Sequence, residues 1–142
     1  MKFSQVFGDA SALRIKTFVL AGHNFKVRVP VQKELDEMAQ RIEVIDQAKF
    51  QARFEKATQG MELIDGDAMI DGRSTKELVE TAMKVENRIL EMFRFLVPAE
   101  GQTNDLTYED IEAELPFSVQ LEMIKAIQEA IQPNFGDSRK NS

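Results

Sequence analysis

The sequence predicts a mainly α protein in which an N-terminal β-hairpin is followed by three to four helices in a single domain. Three observations carry that reading. Apolar residues alternate with polar ones around a turn over residues 13–29, which is the period of a half-buried strand pair. From Pro30 onward the apolar spacing changes to steps of three and four, the period of a helix with one buried stripe. The chain has 142 residues, enough for one domain to bury a core without disulfides or metal.

Taken in order, residues 1–12 carry Gly8, Asp9 and Ser11 and no sustained period, so they read as a loosely held lead-in. In LRIKTFVL, Leu13, Ile15, Thr17 and Val19 alternate with Arg14, Lys16 and Phe18; in NFKVRVP, Phe25, Val27 and Val29 alternate with Lys26 and Arg28. Ala21-Gly22-His23-Asn24 lies between them and supplies Gly and Asn for positive φ. The expectation is a hairpin of residues 13–20 paired with 24–29, having one apolar and one basic face. Pro30 then opens a helix over about 31–58, with Val31, Leu35, Met38, Ile42 and Ile45 as its stripe and Gly60 at its end. Residues 61–73, MELIDGDAMIDGR, are turn-rich, with Gly66 and Gly72 as breakers. Ser74 and Glu77 form a capping box for a helix over about 75–97, striped by Leu78, Ala82, Val85, Ile89, Met92 or Phe93, and Leu96. A short helix over 108–115 has Glu109 and Asp110 in its first turn, where carboxylates favour the helix dipole. The last helix, over 117–132, carries Phe117, Leu121, Ile124, Ile127 and Ile131 on one side, and residues 133–142 form a polar tail.

Composition removes whole classes of function. Net charge is −6, and Lys and Arg are scattered, which argues against nucleic acid and against an anionic membrane surface. With no cysteine there is no disulfide, thiolate zinc site or cysteine nucleophile. No apolar run approaches the ~18 residues of a membrane span, and the first residues lack the apolar run of a signal peptide. The cytoplasm is the expected compartment.

Catalytic chemistry has little to stand on. His23, the one histidine, falls in the predicted turn, where no packing would orient an imidazole for base catalysis. Asp65, Asp67 and Asp71 fit a calcium loop in neither the register starting at Asp65 nor that starting at Asp67 and read as turn formers. Glu109, Asp110, Glu112 and Glu114 read as a solvated face, since paired carboxylates need a cleft to separate their pKa values. No enzyme, cofactor or metal is expected. The turn-rich segment is the unusual feature, with Met61, Leu63, Ile64, Met69 and Ile70 in a stretch that should be solvated. Either these residues fold back and cap the core, as the general avoidance of apolar clusters argues, or they stay partly exposed and bind protein. In the first case the binding surface would fall around Phe93, Phe95 and Phe117. A hairpin with an apolar face and helices with shifting stripes also suggest a homo-oligomer.

The hairpin ending FKVRVPVQKELDEM (Phe25 to Met38) and the C-terminal LPFSVQLEMIKAIQEAIQPNF (Leu115 to Phe135) resemble tail assembly chaperones of long-tailed bacteriophages. The resemblance lies in the order of the pieces. A basic-apolar strand runs into a Pro-started acidic helix, and a closing helix ends in Pro, an aromatic and a polar tail. It implies a protein that binds and solubilises the tape measure protein and helps recruit tail tube protein, in the host cytoplasm and not in the mature virion. It brings no catalytic residues. Such chaperones are often made in two lengths by a −1 ribosomal frameshift, and Arg139-Lys140-Asn141 can be encoded by the slippery heptamer A AAA AAC. The competing expectation is another small acidic chaperone or adaptor, such as a bacterial secretion chaperone.

Overall fold

Only two residues, Ala21 and Gly22, reverse the chain between the first two strands, and both are left-handed, at φ 51° and φ 80°. Paired positive φ values are the mark of a type I′ turn, whose twist matches the strands that it joins. The computed structural model describes residues 2–8, 10–98 and 105–132. In it β1 (Ile15–Leu20) and β2 (His23–Arg28) pair antiparallel from Leu20↔His23 to Ile15↔Arg28.

This corrects the expected hairpin in two respects. Residues Ser11–Arg14 form a turn of 3-10 helix, so the strand starts later than residue 13. Ala21 and Gly22 alone make the turn, and β2 starts at His23, one residue earlier than expected. The second change sets which side chains share a face. Opposed residues project to the same side, so Phe18 stacks on Phe25, ring centroids 5.4 Å apart, on the side where Val27 is fully buried. Ile15 and Val19, expected on the apolar face, lie on the opposite side and are exposed, Val19 to 65%. A one-residue change of phase moves a strand's whole apolar set to the other face.

The chain divides into two compact units. One comprises residues 1–35 with 89–142, the other residues 36–88. α1 (Phe3–Phe7) opens the first unit and buries none of its residues. β2 gains a partner on its far edge: the Arg28 N–H donates to the Phe95 carbonyl at 2.8 Å, and the Val97 N–H to the Lys26 carbonyl at 2.8 Å. The closing helix α6 (Phe117–Ile131) packs on both strands of the hairpin. Its buried residues are Gln120, Met123, Ile124 and Ile127, in steps of three, one and three along one helix face, while Phe117 and Leu121 are exposed. The expected stripe is thereby corrected at Phe117 and Leu121, whereas its Ile124 and Ile127 are buried.

Gln120 occupies a place in this core that apolar periodicity would not assign to it. It is 1% exposed, and its amide is satisfied on both sides. Tyr108 donates its hydroxyl to Oε1 at 2.9 Å, and Nε2 donates to the Leu115 carbonyl at 2.9 Å. Those bonds tie α5 (Tyr108–Glu114) and the α5–α6 corner to α6. The Thr107–Asp110 capping box starts α5.

In the second unit the predicted helix over 31–58 is corrected to two: α2 (Gln32–Glu43) and α3 (Gln47–Ala57). The break follows from Val44, Ile45 and Asp46. Asp46 caps α3 by accepting from the Ala48 and Lys49 N–H groups at 3.0 and 3.2 Å, a competition with helix that favours caps. Asn87 takes up the Ile42 and Val44 carbonyls at 3.0 and 2.9 Å. α4 (Thr75–Phe93) contributes Val79 and Met83 to this unit's core, beside Phe54, Ala68 and Thr75. Ala82 and Val85, expected in its stripe, are exposed. Farther along, Ile89, Met92 and Phe93 are buried and belong to the first unit.

Candidate protein-binding surface

The turn-rich segment is built from two Asp-Gly turns. Asp65 and Gly66 stand at φ 54° and 77°, Asp71 and Gly72 at φ 51° and 77°, the combination that closes tight hairpins. The first turn joins Ile64 and Asp67, whose N–H and C=O groups exchange bonds at 2.8 and 3.1 Å. The second joins β3 (Met69–Ile70) to β4 (Arg73–Ser74). Ser74 thus ends a strand before it caps α4, where the Glu77 N–H donates to its hydroxyl at 3.3 Å. Asp-Gly between apolar pairs is the signal that could have revealed these hairpins from sequence.

Asp67 holds the segment to the start of α4. Its carboxylate accepts from Ser74 Oγ, from its neighbour Ala68 N–H at 2.8 Å and from the Lys76 N–H at 3.2 Å. The Ser74 hydrogen bond, with the two backbone donors, holds the Asp67 carboxyl below its ordinary range. Behind it, Thr75 donates both its N–H and its hydroxyl to the Ala68 carbonyl, at 2.9 and 2.6 Å. These bonds bury Ala68 and Thr75 and leave the large apolar side chains outside.

Met61, Leu63, Ile64, Met69 and Ile70 are all exposed, Ile64 to 73% and Met69 to 61%. Met61, Ile64 and Met69 line an open hollow of about 640 Å³ together with Glu62, Asp67 and Ala68; Leu63 and Ile70 lie outside that lining. Methionine fits itself to partners of varied shape, and the acidic rim would favour a partner with basic residues beside its apolar ones. Of the alternative set, Phe93 and Phe95 are corrected to core residues, both buried, whereas Phe117 is 51% exposed. They do not form a shared surface.

His23 is exposed at the first position of β2. Glu109, Asp110, Glu112 and Glu114 are exposed around a buried Ile111. Among the described residues no group of His, Cys, Asp or Glu could hold a metal ion, and no helix is long and apolar enough to cross a membrane. The polar tail 133–142, with the Arg139-Lys140-Asn141 motif, lies outside the described residues. Compared with known proteins, the chain matches no family model, no curated protein and no solved structure.

Proposed function

We propose that this protein is a binding protein of the tail assembly chaperone class, which shields a long helical tape measure protein until tail tube protein polymerises around it. The observation that carries the reading is the exposed apolar cluster of residues 61–70, braced from behind by Asp67 and Thr75. Apolar patches rimmed by polar residues mark protein-binding sites, and an amphipathic helix laid in such a hollow is a common mode of recognition. Many weak copies along one template add up to tight coverage. The net charge of −6 would keep the coated complex soluble. The choice of partner rests on the resemblance of residues 25–38 and 115–135 to phage tail assembly chaperones.

The test is co-expression with a candidate phage tape measure protein, comparing the native chain with a Met69→Asp, Ile70→Asp double variant. The native chain should co-purify with its partner, and the variant should keep its helical circular dichroism but lose the partner. A folded variant that still binds would remove the cluster from the mechanism. Loss of helicity would show the segment to be core.

A further inference from the structure

The hairpin turns a set of backbone groups toward solvent. From a two-residue turn, the closing pair and every second pair after it exchange hydrogen bonds. Leu20, Phe18 and Lys16 therefore bond to β2, while Val19, Thr17 and Ile15 point their N–H and C=O groups to the opposite edge. The same alternation on β2 sends Lys26 and Arg28 outward, and both are met there by the segment Phe95 to Val97. The outer edge of β1 has no strand partner among the described residues. Open edges are normally blunted by proline, bulges or several charges. IKTFVL has no proline and only Lys16 as a charge, and its register is unbroken.

We propose that β1 is a self-pairing edge through which two copies of this chain join antiparallel about a two-fold axis, with Thr17 opposite Thr17 of the second copy. The sequence of the strand selects both occupant and register. Outward-facing residues must meet outward-facing residues, so the axis can pass only through an integral set of positions. An axis at Lys16 opposes two ammonium groups in a closely spaced pair, which is destabilising. An axis at Phe18 leaves Ile15 without a strand partner. The axis at Thr17 engages Ile15, Thr17 and Val19 together. It sets Ile15 against Val19 of the second copy on one face, and Lys16 against Phe18 of the second copy on the other. The first is an apolar cross-strand pair and the second a cation beside an aromatic ring. Each occurs twice by symmetry, as an isologous contact requires. The strand is thus chemically matched to its own reverse about Thr17. A six-residue edge covers less than the ~1,200 Å² of a standard stable interface, so the dimer is weak and concentration-dependent. The inference rests on the hairpin alone and is independent of what the 61–70 hollow binds.

The absence of native cysteine permits a clean test by single-cysteine variants. In the Thr17→Cys variant the two introduced thiols would sit on Cα atoms ~5.5 Å apart, inside the ~4.4–6.8 Å span of a disulfide. In the Val19→Cys variant the symmetry mates lie four residues apart along the strand, ~13 Å at ~3.3 Å per residue. Mild oxidation should give a covalent dimer of the first and leave the second monomeric. Thr17→Pro deletes an outward N–H while sparing the bonds to β2, and should abolish the concentration dependence seen in sedimentation of the native chain. Should that variant lose its circular dichroism, Ile15→Lys with Val19→Lys replaces it, placing like charges along the same edge with the same expected result. Equal crosslinking of both cysteine variants, a native chain that sediments as a monomer at every concentration, or a folded edge variant that still self-associates would overturn the proposal.

Discussion

Ala21 holds a left-handed conformation, φ 51°, that costs an ordinary L-residue about 1–2 kcal/mol. The structurally equivalent first positions of the other two turns are Asp65 and Asp71, residues that tolerate this region far better. Ala21→Asn should therefore stabilise the protein by about 0.5–1 kcal/mol, read as a higher urea midpoint with unchanged slope. Glu34 makes a different kind of contribution. Burial acts to raise its carboxyl, but the Val31 N–H at 3.0 Å, the Arg28 guanidinium at 2.5 Å and Arg14 outweigh burial and hold it below its ordinary 4.5. A carboxyl depressed in the folded state contributes stability that is complete above the unfolded value and is lost as pH falls through the folded one. Stability of the native chain should decline below about pH 4.5, and Glu34→Gln should flatten that part of the profile, measured by denaturant melts across pH 3 to 6.

At the scale of elements, the break between α2 and α3 is a capping event more than a failure of helix propensity. Replacing the Asp46 side chain with that of alanine removes both of its bonds to α3 and should cost about 1 kcal/mol, with loss of protection at the Ala48 and Lys49 amides in hydrogen exchange. The hairpin and α6 depend on packing instead. Ile127 is fully buried where α6 covers the strands, and Ile127→Ala should cost about 2–5 kcal/mol by leaving a cavity. Tyr108→Phe should cost about 1–3 kcal/mol by stripping a buried Gln120 oxygen of its donor. Periodicity made the existence of α4 and α6 readable, and the acidic first turn with Glu109 and Asp110 that of α5, because these are local signals. It missed the phase of α6 because Gln120, a polar residue, holds a core position that only Tyr108 and the Leu115 carbonyl make tenable.

Across the whole molecule, acidity and an exposed apolar cluster coexist, and each predicts a bulk property. The cluster at residues 61–70 should bind an apolar dye in the native state at neutral pH, and Met69→Asp with Ile70→Asp should remove most of that signal without a change in circular dichroism. The net charge of −6 should leave duplex DNA unshifted in a gel at physiological salt. Exposure of the cluster was one of two readings open from the sequence. The choice between them depended on Asp67, which spends its carboxylate on Ser74, Ala68 and Lys76 and so pins the backbone with the side chains facing out.

What the chain determined by itself was local. The change of period at Pro30, the Asp-Gly and Ala-Gly turns, the cap before α5 and the exclusion of cysteine chemistry all follow from residues close together in sequence. Tertiary structure decided what depends on distant partners. Asn87 donates from Nδ2 to the carbonyls freed at the α2–α3 break, more than forty positions earlier in the chain. Phe95 to Val97 closes one edge of the hairpin and leaves β1 as the edge without a strand partner among the described residues. The two-residue turn put Phe18 and Val27 on the covered face and Ile15 and Val19 on the outer one. The physical reason is common to all of these. A periodic pattern states that a face will be buried, but its phase is set by which distant hydrogen-bond donors and apolar surfaces arrive to meet it.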